Sequence, residues 1–277
     1  MGHNLCDMNP THFKVDIQNK IAHVAFNRPD KANALHMEAW DEMKAIFDEL
    51  SETDGVRVIV LSGEGKHFCA GIDLELLMSI AQLQQVECGG RRGEKIRKFV
   101  QHLQACVNAI EECSKPVLAA IHKGCIGGAV DIAVACDMRY CTEDAFFTIK
   151  EIDMGMVADL GTLQRLPKLI APGIVNEMAY TGRKVPGEEA RRIGLANQCY
   201  ADKAQMMEGV MNIAATIASK SPLSIRGTKE VLKYSRDHSV ADSLDQMATW
   251  NAAMILSEDL QEAFKATMQK RAAEFKD

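Results

Sequence analysis

No run in this 277-residue chain approaches the roughly 18 consecutive apolar residues that a membrane-spanning helix needs. An excess of positive charge is missing too. Thirty-two Lys and Arg stand against 38 Asp and Glu, a formal net charge of −6, which offers no basic field to a nucleic-acid backbone or an anionic membrane surface. A local basic pocket for a phosphorylated ligand remains compatible with that balance. There is no C-x-x-C pair. The nine cysteines (Cys6, Cys69, Cys88, Cys106, Cys113, Cys125, Cys136, Cys141 and Cys199) are odd in number and scattered, several of them in apolar runs where a thiol packs as a small hydrophobe. They read as reduced core residues. The opening MGHNLCDMNP has no apolar signal core and the closing EFKD is not a peroxisomal SKL tripeptide, so the expected location is cytoplasmic. Internal repeats and low-complexity segments are absent.

What is present is 47% apolar and 25% charged, enough for a substantial core in one large domain or two unequal ones. FKVDIQ and IAHVAF alternate apolar and polar residues around Asn19-Lys20, a hairpin signal weaker than Asn-Gly. Leu35, Trp40, Met43, Ile46, Phe47 and Leu50 recur at helical spacing, which predicts an amphipathic helix over residues 36–51. VRVIVL (56–61) and PVLAAI (116–121) read as buried strands of a helix-covered sheet. Residues 75–112 form a helical stretch broken near Glu87-Cys88-Gly89-Gly90, where a mobile loop able to cover a site is expected. Past residue 200 only helical patterns follow, at 203–219, 222–234, 239–256 and 258–272. The fold class is α/β, divided into a core over 1–200 and a helical module over 201–277. Leu244, Met247, Met254, Ile255, Leu260, Phe264 and Met268 are too many apolar positions for four helices packed only on one another, which points to burial against another subunit.

Three segments offer chemistry. In HFCAGIDL, small residues Cys69, Ala70 and Gly71 admit a ligand close to the backbone, and Ile72 then presents its N–H to a cleft; a tight turn with Asp73 as helix cap explains the same residues. In GCIGGAVDIAVACD a helix is expected to start at Gly127-Gly128, leaving the Gly128 N–H without an intrahelical partner at the positive end of the helix dipole. Close helix–sheet packing would also select those glycines. Asp131, three residues on in an otherwise apolar run, is either a structural hydrogen-bonding group or a working acid. Finally, Glu151 and Asp159 flank a stretch rich in methionine, where two acids beside an apolar pocket would have raised pKa values and could trade protons with a carbon acid. Met154, Met156 and Val157 could line an acyl tunnel or simply fill core. Arg165 and Lys168, on a helix starting after Leu160-Gly161, suggest only an exposed face.

Together, and in this order, these segments resemble the crotonase (enoyl-CoA hydratase/isomerase) superfamily over nearly the whole chain, from NRPDKANAL to the helical tail. The resemblance implies a spiral of β-β-α units with a C-terminal helical trimerisation region, assembled as a trimer or a dimer of trimers. It implies an acyl-CoA thioester as substrate, with coenzyme A part of that substrate and no separate cofactor, metal, nucleic acid or membrane required. On it, Ile72 and Gly128 are the oxyanion-hole amides, and Lys31, Ala32, Ala70, Gly71, Asp73 and Lys270 are the CoA-binding positions, with Lys270 approaching the nucleotide from a neighbouring subunit. The two catalytic acids fall on Asp131 and Glu151. Hydratases usually carry glutamate at both positions, and where Asp159 stands they commonly have an uncharged residue. Asp131, Glu151 and Asp159 in that setting resemble the Δ3,5-Δ2,4-dienoyl-CoA isomerases of β-oxidation. Ala129, where many relatives have a third glycine, is a departure without an evident consequence. The alternatives are an enoyl-CoA hydratase, against which the third acid speaks, and a non-catalytic protein that binds acyl-CoA or RNA, against which the intact carboxylates and the acidic charge speak.

Overall fold

The structure is a computed structural model and describes residues 10–277. Cys6 lies outside them. Strands β1 (Phe13–Gln18) and β2 (Ile21–Phe26) form the expected antiparallel hairpin. Its turn residues Asn19 and Lys20 both have positive φ, 52° and 67°, the geometry that matches the right-handed twist of the strands. Helix α1 (Met37–Glu52) buries Ala39, Trp40, Met43, Ile46, Phe47 and Leu50, so the apolar stripe in the sequence is the face turned to the core. Strand β3 (Val58–Gly63) begins two residues later than expected; the Arg57 N–H bonds the Lys20 carbonyl just outside the paired residues, and its guanidinium reaches the carbonyls of Ala218 and Phe275.

Helices α2 (Leu74–Ile80) and α3 (Gly89–Glu112) follow. Gly89 and Gly90 form no loop; they are the first turn of α3, where N–H groups lack intrahelical partners anyway, and the break is confined to residues 86–88. Next come β4 (Val117–Ile121), β5 (Gly124–Ile126), α4 (Gly128–Ala135), β6 (Met138–Thr142) and β7 (Phe146–Thr148). After a 3-10 turn at Lys150–Met154 the chain forms α5 (Thr162–Arg165), α6 (Pro172–Thr181), β8 (Val185–Pro186), α7 (Gly187–Arg192) and β9 (Gln198–Tyr200). Helices α8 (Lys203–Ala218), α9 (Pro222–Ser235), α10 (Val240–Met254) and α11 (Glu258–Gln269) complete it.

The main sheet runs β1-β2-β3-β4-β6-β9, parallel except for the β1–β2 hairpin, and β5-β7-β8 form a second, smaller sheet. Alternation along the strands gives the main sheet two buried faces. Ile59, Leu61, Val117 and Ala119 meet α1, α3 and α4, whereas Val58, Val60, Leu118 and Ala120 meet α8 through Met206, Val210 and Ala214. Burying Met206 and Val210 is worth roughly 3–6 kcal/mol, which makes α8 a layer of the core. The later helices keep large apolar side chains in solvent, among them Leu244 (64% exposed) and Phe264 (63%). Helix α4 is buried over all eight residues, so the one acid in it, Asp131, is 0% exposed. Among the described residues no helix is long and apolar enough to cross a membrane.

Candidate active site

The loop before α1 is brought against the segment before α2 by short backbone bonds: Ala70 N–H donates to Ala32, Leu35 N–H to Gly71, and Asp73 N–H to Leu35. These alternate bonds leave the Ile72 N–H out of the pairing. Gly128 stands at the first position of α4. Among the described residues neither the Ile72 N–H nor the Gly128 N–H donates a hydrogen bond to another group of the chain. The two segments approach closely there, since a Cβ on Gly128 would lie 3.5 Å from the Ile72 nitrogen. A Cβ on Gly71, whose φ is +79°, would stand 2.7 Å from the Gly128 nitrogen, so only glycine allows the approach. Ile72, Gly128, Glu151, Ala70, Lys31 and Asp73 line one cleft of about 520 Å³.

Three carboxyl groups share the electrostatics of this region. Asp131 accepts the Thr162 N–H at 2.6 Å through Oδ1, while Oδ2 is buried without a partner. Burial pushes its pKa up to about 6, and the charge of Asp159 adds to the rise. Glu151 lies in the 3-10 turn after β7, with its Oε2 likewise buried and unpartnered. Its pKa is pushed up to about 7, first by burial and then by the charge of Asp131. Its Oε1 sits 3.2 Å from where a Cβ on Gly127 would be; Gly127, at φ +54°, opens the space the acid occupies. Partial burial raises the pKa of Asp159 as well. Two unpartnered carboxylate oxygens inside a protein are costly unless a proton or a ligand meets them, by about 1–3 kcal/mol each. The arrangement can therefore take a proton from a bound carbon acid near neutral pH and hold it.

The remaining candidates are placed as follows. Met154 and Met156 line the cleft, whereas Val157 is 71% exposed. Ala32 has a left-handed backbone (φ 50°) beside Lys31. The Asp73 carboxylate caps α2 through the Glu75 N–H and pairs with Arg28, so its charge is used inside the fold. Lys270, the left-handed C-cap of α11, is exposed and lines no part of this chain's cleft. Arg165 does not sit on a free face: its guanidinium reaches across to Glu111 and Asn108 of α3. Sequence reasoning passed over several supports. Buried Asn33 donates to the carbonyls of Glu64, His67 and Phe68 and accepts from the Arg28 N–H, tying the two loops together. Cys69 Sγ donates to the Asn33 carbonyl and accepts the Gly71 N–H, which gives that thiol a job besides packing. An asparagine inside NRPDKANAL was the available signal for the first. A mixed set of metal donors, Asp41, His102 and Cys106, occurs on α1 and α3 outside the cleft.

The sequence profile described as enoyl-CoA hydratase/isomerase matches residues 16–277. The chain is 48% identical over 256 residues to a protein of Arabidopsis thaliana named Delta(3,5)-Delta(2,4)-dienoyl-CoA isomerase, peroxisomal, covering 92% of each. It is 46% identical over 255 residues to the mitochondrial Delta(3,5)-Delta(2,4)-dienoyl-CoA isomerase of Mus musculus, covering 92% of this chain and 78% of that one. The crystal structure of enoyl-CoA hydratase from Bacillus anthracis superposes with a TM-score of 0.85 at 27% identity, covering 96% of this chain and 99% of the other. These relatives overturn the expected cytoplasmic location, since they are named as peroxisomal and mitochondrial proteins. Organelle addresses are short segments read by receptors, and buried thiols are reduced core residues in any compartment, so neither observation bore on location. With a family profile spanning nearly its whole length and an isomerase relative at close to half identity, the chain belongs to the enoyl-CoA hydratase/isomerase family.

Proposed function

We propose that the protein is a Δ3,5-Δ2,4-dienoyl-CoA isomerase of fatty acid β-oxidation, in which the thioester oxygen accepts from the Ile72 and Gly128 N–H groups. The observation that carries this reading is the third acid: Asp159 lies three residues before Thr162, whose N–H binds Asp131, and its charge adds to the rise that burial imposes on the pKa values of Asp131 and Glu151. A thioester α-proton is too weakly acidic for a carboxylate unless the enolate is stabilised as it forms, and losing one of two such donors costs about 10²–10³ in rate. Glu151, ionised, takes the C2 proton. The electron pair released moves along the dienolate, and Asp159, protonated, delivers a proton to C6, leaving double bonds at C2 and C4. Glu151 ends protonated and Asp159 ionised, and exchange with solvent restores both. Asp131 acts on Glu151 through its charge, which adds to the burial-driven rise of the Glu151 pKa. Lys31, Ala32, Ala70, Gly71 and the backbone at Asp73 receive the CoA portion, with Lys270 supplied by a neighbouring subunit. The proton transfers call on no metal or redox cofactor.

Assembly as a trimer or dimer of trimers belongs to this reading, supported by apolar side chains left in solvent on α11 and the turn before it, such as Met268 (85% exposed) and Leu256 (86%). The test of function is direct. Purified protein given 3,5-dienoyl-CoA and crotonyl-CoA separately should conjugate the first rapidly and hydrate the second poorly. Rapid hydration of crotonyl-CoA with no action on the diene would overturn the assignment.

A further inference from the structure

Asp159 hangs on an unusual support. Residues 157–160 lie in no helix or strand, and among the described residues none of their backbone N–H or C=O groups joins a backbone–backbone hydrogen bond. Two side chains hold this stretch instead. Gln104 of α3 donates its Nε2–H to the Asp159 carbonyl at 2.7 Å. Arg165 reaches the Leu160 carbonyl at 3.5 Å, and its guanidinium is itself fixed by the Glu111 carboxylate at 2.7 Å and by Asn108 at 2.7 Å. Gln104, Asn108 and Glu111 are spaced four and three residues apart, which places them in one row on α3. Buried Ala158 and Leu160 anchor the backbone on either side, but they leave the rotation of the segment free to be set by polar contacts. The opposite end of the site is built differently: Glu151 lies in a 3-10 turn, and Asp131 lies on a helix buried over its whole length.

We propose that Gln104, with Arg165 as second tether, is a positioning residue that sets Asp159 for protonation of the distal carbon of the diene. The proposal rests on the reading of Asp159 as the C6 acid, and it locates in α3 a determinant of one proton transfer and not the other. A misplacement of about 1 Å in a reacting group costs up to 10²-fold in rate. Losing one of two tethers should cost less, about tenfold.

The test separates the two proton transfers. Gln104→Met keeps length and volume while removing the donor at a partly exposed position, so folding is not at stake. Two rates are measured on the full chain: isomerisation of 3,5-dienoyl-CoA, with kcat and KM resolved, and exchange of the C2 protons of a saturated acyl-CoA in D2O, which calls on Glu151 and the amides alone. The expected result is about a tenfold fall in kcat for isomerisation with KM unchanged, and C2 exchange within about twofold of wild type. An equal fall in both rates would mean a general structural role and overturn the proposal, as would no change in either. Asp159→Asn, run alongside, identifies which layer failed. If that variant isomerises normally, the reading of Asp159 is wrong; if it is inactive while Gln104→Met is unaffected, only the positioning role is lost.

Discussion

Replacing Asp131 by Asn should change how the stability of the protein depends on pH. The amide keeps the size of the side chain and an oxygen to accept the Thr162 N–H, which Asp131 receives at 2.6 Å. It removes a charge from a position that is 0% exposed. The folded-state pKa of Asp131 is about 6 against an ordinary value of 3.8. Because the folded value is raised, the unfolded chain releases this proton at lower pH than the folded one does. Stability is thus highest below the ordinary value and is lost as pH rises toward about 6. A rise of about two pKa units corresponds to roughly 3 kcal/mol. The Asn variant has no such penalty. An amide N–H left unpaired adds an offset of about 1–3 kcal/mol, which does not vary with pH. The difference in stability between variant and wild type should therefore move by roughly 3 kcal/mol in favour of Asn between about pH 4 and pH 7. Urea unfolding midpoints at constant chain concentration across that range measure it. Parallel curves would refute the burial argument, and with it the raised pKa of Asp131.

Asp159→Asn should lower kcat for 3,5-dienoyl-CoA by about 10²–10⁴ while leaving KM nearly unchanged; steady-state kinetics that instead show a KM effect would assign the residue to binding. Since Glu151 must be ionised to accept the C2 proton and its pKa is about 7, exchange of the C2 protons of a saturated acyl-CoA, which does not call on Asp159, should speed up as pH increases through about 7, and a rate already flat above pH 5 would contradict the raised pKa. Gly127→Ala puts a side chain at φ +54° and 3.2 Å from Glu151 Oε1, so it should cost about 1–3 kcal/mol of stability and slow C2 exchange; an active variant with an unchanged unfolding midpoint would show the glycine to be dispensable.

Elements whose cause is local were legible before any coordinates. The α1 stripe, the Asn19-Lys20 turn and the helix start at Gly128 each follow from residues a few positions apart. Asp131 stood out because a lone acid in an apolar run contradicts the burial that the run itself implies. Contacts made across the fold left no such trace: Gln104 is 55 residues from the carbonyl it holds, and Asp131 is 31 from the amide it accepts. The pair Gly89-Gly90 was misread because glycine opens a loop and the first turn of a helix equally well. The location was misread because a signal core and an SKL tripeptide are only two of the addresses that receptors read.

The central claim is that two different acids move two different protons, and isomerisation of 3,5-dienoyl-CoA in D2O tests it most directly. Asp159 would equilibrate with solvent before each turnover, so the 2,4-dienoyl product should carry deuterium at C6. Product bearing at C6 the protium removed from C2 would show one group carrying the proton between the two carbons, and would contradict the account.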